Sequence, residues 1–368
     1  MALTLPLPSR SRVELSTDEV TGAIGDSVTV LPLVVAITAL SELSLPTVLL
    51  WFGLFQVVWG LYYGAPISVE PMKALAAMVL AGSIAPPTFL LSGLLLGGVL
   101  LVLGITGSLG RLSAYIGTPV VRGIQFGVAL VLLETGFSLG VGDPRLAALA
   151  VAVAAVVVMV GRFKLTAIVV LGVGALVAVH QGGFPGFALP TGESLFLVTQ
   201  ADLSLAVFEA AVSQLAMTVG NAALAAAVLM AEYFDRDVTP DQLSTSMGVM
   251  NLVSVPFGAI PMCHGSGGIA GKYAFGARTA GANVVLGVGY VAVALLGGGI
   301  VAAYPVSMLG VILALIGLQL ARTSLESAES WGLVVAIGVL GLLVNLGVAF
   351  LVGVVLTLAV DRLSPVSS

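Results

Sequence analysis

Charged residues are scarce in this chain: Asp, Glu, Lys and Arg together make up 8% of its 368 residues. Soluble domains carry about 25% charged residues, so the composition excludes an ordinary soluble protein and leaves no room for a sizeable soluble domain. The formal net charge is −5, which argues against a nucleic-acid partner because such proteins present basic patches.

Cysteine and histidine are nearly absent. The single cysteine, Cys263, excludes an intrachain disulfide framework. The two histidines, His180 and His264, have no suitably spaced thiol or imidazole partners for a metal site. No serine elbow accompanies them, and the glycine run 265–268 lacks the Lys-Ser/Thr of a nucleotide-binding loop. We therefore expect no enzyme activity, no metal and no cofactor.

Apolar residues, in contrast, make up 59% of the chain. A membrane-spanning helix needs about 20 consecutive apolar residues, and the apolar runs predict an all-α polytopic membrane protein with about fourteen transmembrane segments. The predicted segments lie near 22–40, 46–63, 71–82, 87–109, 118–140, 146–160, 164–181, 205–231, 242–257, 265–278, 282–302, 305–321, 331–343 and 344–360. The boundary between the last two segments is the least well defined, because 331–360 is long enough to form a single helix.

Basic residues predict the orientation, since Lys and Arg concentrate in cytoplasmic loops. A cytoplasmic N-terminus puts nine of them inside and one, Arg145, outside. We therefore expect a multi-pass protein of the cell membrane with both termini cytoplasmic. Its predicted parts are an N-terminal tail (1–20), a first repeat (21–181), an extracytoplasmic connection (182–204), a second repeat (205–361) and a C-terminal tail (362–368).

The two halves resemble each other locally. Pro71-Met72 recurs as Pro261-Met262 after 190 residues, and Thr29 has a counterpart in Thr218 after 189 residues. Seven segments per half is an odd number, so the repeats must be inverted in the membrane, as in secondary transporters.

Both halves break their helical pattern at Pro-Met. Pro66 and Pro71 favour extended backbone, and we expect a half-helix to begin at Pro71, where proline suits the first helical position. A second half-helix should follow Pro261 and begin near His264 or Gly265. These third and tenth segments should meet mid-membrane, where two helix N-termini form an anion site.

Several polar residues near the breaks are candidates for that site. Lys73 and His264 offer positive charge or donors, and the glycine run with Ser266 lets an anion approach the backbone. Alternatively, Lys73 only neutralises Glu70. Glu70 either carries a proton or pairs with Lys73 or Lys272.

Two flanking segments carry polar faces at helical spacing. Gly22, Asp26 and Thr29 form the first, and Gln214, Thr218 and Asn221 the second. Such side chains suit an oxyanion, but they also make helix–helix hydrogen bonds, and Asp26 lies near a span end, where it could cap the helix or face water. In the fifth segment, Glu134 either relays protons or bonds Arg122.

The two breaks closely resemble signatures of the molybdate transporter family, a branch related to the sulfate permeases. The longer signature is Pro261-x-Cys263-His264-Gly265-x-Gly267-Gly268 followed by Tyr273-x-Phe275-Gly276-x-Arg278, and the shorter is Pro66-x-x-Val69-x-Pro71-Met72-Lys73-Ala74. Gly25-Asp26 and Gln214 with Thr218 and Asn221 also match. Members of that family usually have a glutamine at the position of Glu70 and another at the position of Lys272. This chain has an acid and a base at these two positions, which is compatible with a salt bridge that compensates both charges.

The resemblance implies the seven-plus-seven inverted repeat shared with sulfate and uracil permeases, in which a core domain moves against a gate domain. It implies a secondary transporter of molybdate that works by alternating access. The alternatives are a carrier of sulfate or another oxyanion and an anion channel. The expected partners are molybdate, the related anions tungstate and sulfate, the lipid bilayer and a homodimer, without nucleic acid.

The residues matched to the family or placed at the breaks define the predicted site. Expected to bind substrate are Lys73, Gln214, Thr218, Asn221, Cys263, His264, Gly265, Ser266 and Thr29. Expected to take part in proton or charge coupling are Glu70, Asp26 and Lys272.

Overall fold

The computed structural model describes residues 13–183 and 196–363. Within them the first half forms eight α-helices and one short strand. These are α1 (Thr17–Ala39), α2 (Leu45–Tyr63), β1 (Glu70–Pro71), α3 (Lys73–Leu80), α4 (Pro86–Thr106), α5 (Leu109–Ile116), α6 (Thr118–Gly140), α7 (Pro144–Met159) and α8 (Thr166–Gly182), with a 3₁₀ turn at Phe163–Leu165.

The second half repeats this order of elements. It contains α9 (Leu205–Met217), a π-helical segment (Thr218–Ala225), α10 (Ala226–Phe234), α11 (Pro240–Ser254), β2 (Met262–Cys263), α12 (Ser266–Ala274), α13 (Gly281–Ala302), α14 (Val306–Glu326), α15 (Trp331–Leu343) and α16 (Leu346–Leu363), with 3₁₀ turns at Leu197–Gln200 and Val255–Phe257. α9, the π-helical segment and α10 run without a break.

Local sequence explains where several helices begin and end. Ser16 caps α1 by accepting a hydrogen bond from the Glu19 amide, and Thr239 caps α11 in a capping box with Gln242. α2 ends at Gly64, whose φ of 63° lies in the left-handed region that favours glycine. The boundaries therefore follow capping chemistry as well as hydropathy.

Seven helices are long and apolar enough to cross a membrane within the described residues, and four shorter apolar helices accompany them. The protein is therefore a mostly helical, multi-pass membrane protein. α15 and α16 are separate helices, as the sequence predicted for 331–343 and 344–360.

Three boundaries differ from the sequence prediction. α1 begins at Thr17, inside the stretch 1–20 predicted as a tail, of which residues 1–12 lie outside the described part. Pro71 does not start a helix: it ends β1, and α3 begins at Lys73. α12 begins at Ser266, just after the predicted start. Of the connection 182–204, residues 184–195 lie outside the described part, and a single 3₁₀ turn follows them.

The two short strands bring the two halves together. β1 and β2 pair antiparallel, with Glu70 opposite Cys263 and Pro71 opposite Met262. The side chain of Asn251 in α11 binds both the amide and the carbonyl of Met262, at 2.8 and 2.7 Å. Because α3 and α12 begin directly after these strands, the pairing holds their N-termini next to each other.

The helices pack as two bundles. The first bundle contains α1–α4 and α9–α13, and the second contains α6–α8 and α14–α16. In each bundle, pairs of glycines on neighbouring helices let the backbones approach closely, as two examples show. A Cβ on Gly53 of α2 would lie 2.8 Å from the Gly287 carbonyl of α13, and a Cβ on Gly310 of α14 would lie 2.6 Å from the Gly136 carbonyl of α6. The site lies where the first bundle faces the second.

Candidate functional site

The carboxylate of Glu70 occupies the start of α12. Its Oε1 accepts hydrogen bonds from the Gly268 amide at 2.7 Å and from the Ser68 hydroxyl at 3.3 Å. Its Oε2 forms an ion pair with Lys73, three residues further along the chain. Glu70 is buried, at 1% exposure. Of the two pairings considered from sequence, the structure forms the one with Lys73 and not the one with Lys272.

The glycine run fits this carboxylate closely. A Cβ on Gly265 would overlap the Glu70 carboxyl group, and a Cβ on Gly268 would overlap Glu70 together with the side chains of Asp26 and Ser68. Gly267, in contrast, is exposed, and a Cβ there would meet nothing within 4 Å. Gly265 and Gly268 thus accommodate the protein's own acid, and Gly267 borders open space.

Gln214 occupies the start of α3 in a similar way. Its Oε1 accepts from the amides of Ala74 at 2.9 Å and Leu75 at 3.5 Å. Its Nε2 donates to the Thr218 hydroxyl at 3.0 Å. First-turn amides have no partner inside their helix, so Gln214 satisfies two donors that an anion could otherwise bind.

The π-helical segment extends the same polar face toward α12. Asn221 lies in it, and its Oδ1 accepts a hydrogen bond from the Ser266 hydroxyl. The face predicted from Gln214, Thr218 and Asn221 therefore reaches both short helices, with Gln214 at α3 and Asn221 at α12. π-helical insertions of this kind are frequent at functional sites.

Asp26 and Lys272 form a second ion pair, at 3.0 Å, in which neither side chain is exposed. Asp26 also accepts from Ser68 at 2.6 Å and from Gln56 at 2.9 Å. Lys272 also donates to Gln56 at 2.9 Å and to Asn283 at 3.0 Å. The alternative in which Asp26 caps its helix or faces water is therefore wrong, because α12 and α2 cover it.

Three members of this network were not predicted from the sequence: Gln56, Ser68 and Asn283. The Asn283 amide donates to the Gln56 side-chain carbonyl at 2.9 Å, and all three residues are completely buried. Gln56 and Asn283 could have been identified from the sequence, because each is a polar residue in an otherwise apolar helix. Their partners could not be known without the packing of α2 against α13.

The imidazole of His264 is fully engaged by protein groups. Its Nδ1 lies 2.9 Å from the Ser68 carbonyl, which can only accept, so Nδ1 carries the proton. Its Nε2 lies 2.7 Å from the Ser246 hydroxyl, which also accepts from Tyr63. Ser246 and Tyr63 are further residues that sequence analysis missed. The ring is completely buried and ties β2 to the loop before β1.

Two other predicted substrate contacts also lie against protein. The Thr29 hydroxyl donates to the Asp26 carbonyl of its own helix at 3.3 Å. The Cys263 thiol is buried, and its Sγ lies 3.8 Å from the Pro71 carbonyl. These contacts support the strands and α1.

Near the start of α12, one part of the site remains accessible. Ser266 is half-buried and Gly267 exposed, and their amides have no acceptor among the described residues. Lys73 is 11% exposed. Free amides at a helix N-terminus beside an ammonium group and the amide of Asn221 have the chemistry of an anion site.

Glu134 and Arg122 do not form the pair considered from sequence. They lie twelve residues apart on α6, about 18 Å along a helix. Arg122 donates to Gln125 at 2.9 Å, whereas Glu134 is exposed and lines a separate cavity of about 510 Å³. An ion pair with Glu134 therefore does not explain why a charged residue lies at position 122 of this apolar helix.

The fold is that of anion transporters. The chain is similar to the transmembrane domain of a cyanobacterial bicarbonate transporter, BicA, with a TM-score of 0.70 and 17% identity over 91% of this chain and 97% of that one. It is also similar to murine Solute Carrier 26 family member A9 in the inward-facing state, with a TM-score of 0.67 and 14% identity over 98% and 70% of the two chains. These similarities show that the chain has the fold of membrane transporters of this kind.

The family follows from sequence. The model of the molybdate transporter of the MFS superfamily matches residues 18–132 and 206–320. Molybdate transporter 2 of Arabidopsis thaliana is 30% identical over 84% of this chain and 79% of its own length. Molybdate transporter 1 of Chlamydomonas reinhardtii is 25% identical over 93% and 91%. The chain belongs to this molybdate transporter family, and the prediction that it is a transporter and not an enzyme is confirmed by these relatives.

Proposed function

We propose that this chain carries molybdate across the cell membrane by alternating access. The oxyanion would bind at the accessible start of α12, between Lys73 and the amides of Ser266 and Gly267. The observation that carries the proposal is that these donors are free or partly exposed, while the next two amides of α12, those of Gly268 and Ile269, already have protein acceptors. The molybdate transporters of Arabidopsis and Chlamydomonas among the relatives supply the substrate class.

Removing a dianion from water is costly unless charge and hydrogen bonds replace its hydration. Lys73 would supply the charge, the amides of α12 two donors, and the side chains of Thr218, Asn221 and Ser266 further polar contacts. Gln214, His264, Gly265 and Cys263 would hold the two short helices and strands in place, and Thr29 would support α1. This assigns positioning roles to several residues expected from sequence to touch the substrate.

Glu70 would act as a built-in competitor of the substrate. Its carboxylate is already paired with Lys73, so molybdate must draw Lys73 away from it. Uptake of a proton by Glu70 would weaken this pair and offset part of the charge of molybdate. Asp26 and Lys272, sealed in their own network, would keep α1 and α12 together during transport instead of coupling it to protons.

We further propose fourteen membrane segments in two inverted repeats, 21–181 and 205–361, with α3 and α12 as half-helices and both termini in the cytoplasm. The family model supports the repeat, because its second matched stretch begins 188 residues after the first and has the same length. The antiparallel pairing of β1 with β2 also supports it. The first bundle would move against the second.

The test is uptake of labelled molybdate by purified protein in liposomes, with tungstate and sulfate as competitors. Saturable uptake with counterflow, blocked by excess unlabelled molybdate, is expected. Lys73→Ala should reduce it strongly, and the matched control is Lys164→Ala, because Lys164 is exposed in the turn before α8. Preferential competition by sulfate would identify a sulfate carrier, and flux without saturation or counterflow would identify a channel.

A further inference from the structure

A cavity of about 420 Å³ lies between the start of α6 and the π-helical segment. One wall belongs to the second bundle and the other to the first. Among the described residues, Arg122 is its one charged lining residue; Thr118 and Val121 lie on the same wall, and Gly220 and Asn221 lie on the opposite wall. The lining therefore contains one cation and no carboxylate.

Arg122 has an incomplete set of partners. It is half-buried in a helix that is long and apolar enough to cross the membrane. One terminal nitrogen, Nη1, donates to Gln125 at 2.9 Å, while Nε is buried without a hydrogen-bond partner. No salt bridge joins Arg122 to an acid in residues 13–183 and 196–363. A charge inside a membrane protein is costly and marks a functional site unless it is paired.

The start of α6 adds to the positive character of the cavity. This helix is 23 residues long, and no side chain caps its first turn at Gly117 and Thr118. The aligned peptide dipoles therefore place partial positive charge at the same wall as the guanidinium group of Arg122. A helix N-terminus beside an arginine that still has a free guanidinium nitrogen is suited to an oxyanion, because guanidinium groups bind oxyanions in a bidentate manner.

The cavity also adjoins the proposed substrate site. Asn221 lines it and accepts a hydrogen bond from Ser266, the first residue of α12. The Gly220 backbone lies so close to Val121 that a Cβ on it would contact that side chain at 2.6 Å. The two walls therefore meet tightly next to Asn221, whose side chain reaches the start of α12.

We propose that Arg122 and the first turn of α6 form the second-bundle half of the oxyanion site, so that molybdate is held between the two bundles. This inference rests on the proposed function and deepens it. Arg122 sets the preference for divalent oxyanions, because it adds a second full positive charge to that of Lys73. When the bundles separate, Arg122 loses the anion and keeps Gln125 as its partner.

The test is direct binding of molybdate to the purified full chain, by calorimetry and by the shift of its melting temperature. Arg122→Gln should weaken binding about 10- to 100-fold, the range expected for loss of a charged hydrogen bond. Arg122→Lys keeps the charge and should restore part of the affinity. The matched control is Arg162→Gln, because Arg162 is exposed between α7 and α8, and it should bind like the unmodified chain.

The outcomes separate this inference from the proposed function. Unchanged molybdate binding by Arg122→Gln, with binding lost in Lys73→Ala, would overturn the role of Arg122 and leave the proposed function intact. If the unmodified chain binds sulfate but not molybdate, the proposed substrate is wrong, and weaker sulfate binding by Arg122→Gln would still support the arginine as an oxyanion contact. Failure to bind either anion would overturn both.

A purely structural role of Arg122 gives a different result. In that case Arg122→Gln would lower the melting temperature without molybdate and keep the full shift on adding it, which would contradict the inference. A second variant, Gln125→Ala, removes the only side-chain partner that Arg122 has among the described residues. It should bind molybdate at least as tightly as the unmodified chain, and a loss of affinity similar to that of Arg122→Gln would count against direct contact.

Discussion

The carboxylate of Glu70 accepts a hydrogen bond from the amide of Gly268 at 2.7 Å. Glu70 belongs to the strand before α3, and Gly268 to the first turn of α12, 198 residues later. An acid at a helix N-terminus is stabilised by the free amides and the helix dipole. The protein thus places its own anion where two helix starts meet, which leaves Gly267 and Ser266 as the accessible amides.

Replacement of Gly268 by alanine should damage the fold, whereas replacement of its neighbour Gly267 should not. A Cβ at 268 would overlap the side chains of Asp26, Ser68 and Glu70, and a Cβ at 267 would meet open space. Overpacking of a dense interior costs about 1–3 kcal/mol. Thermal unfolding in detergent should show a lower melting temperature for Gly268→Ala alone. Equal melting temperatures would contradict this packing.

Replacement of Glu70 by glutamine should strengthen molybdate binding. The change removes the partner of Lys73 and frees its charge for the substrate. We expect a KM for uptake lower by about fivefold, which corresponds to roughly 1 kcal/mol. Lys73→Ala should act in the opposite direction. A higher KM in Glu70→Gln would show that Glu70 contributes to binding instead of competing with it.

Uptake by the unmodified chain should rise as the pH falls, because protonation of Glu70 releases Lys73. The Glu70→Gln variant cannot take up this proton, so its uptake should vary little with pH. The measurement is the initial rate of molybdate uptake into liposomes at several external pH values. The same pH profile in both proteins would exclude proton coupling through Glu70.

Loss of one partner of the Asp26–Lys272 pair should destabilise the protein strongly. Both side chains are completely buried, and removal of one partner from a buried pair costs about 3–5 kcal/mol because it leaves the other charge unpaired. We expect lower melting temperatures for Asp26→Asn and for Lys272→Gln. The double variant removes both charges and should recover most of the loss. If its loss equals the sum of the two single losses, the residues are not coupled.

Gln214→Glu should fold and yet fail to transport. A carboxylate in place of the amide can still accept from the Ala74 and Leu75 amides, and the dipole of α3 favours it. The added negative charge near Lys73 should repel molybdate. Gln214→Ala, in contrast, leaves buried amides unsatisfied at a cost of about 1–3 kcal/mol and should lower the melting temperature. Normal uptake by Gln214→Glu would show that the anion binds elsewhere.

Much of the helical framework could be predicted from the sequence because it depends on local properties. Apolar runs gave the position of nearly every helix to within a few residues, and the Pro-Met breaks located both short helices. The prediction failed at Pro71, which was assigned to a helix start but lies in β1. Strand pairing with Met262, 191 positions further along the chain, determined that outcome, and local preference did not.

Several residues that gather around the two short helices could be named from the sequence, but their contacts could not. Lys73, Gln214, Asn221 and Ser266 do gather at the starts of α3 and α12. His264 stands next to them in sequence, yet both of its ring nitrogens are taken by protein groups. Whether a polar side chain faces a ligand or another helix depends on packing across hundreds of residues, which periodicity does not report.

The sequence by itself determined that this is a membrane protein with two related halves and a polar break in each, because hydropathy, proline positions and spacing are properties of the chain. Only the tertiary structure decided which charges pair. Glu70 joins Lys73 and Asp26 joins Lys272, because antiparallel β1 and β2 set the register between the halves. The same packing places the half-buried Arg122 at a cavity that Asn221 also lines, and no salt bridge joins Arg122 to an acid among the described residues.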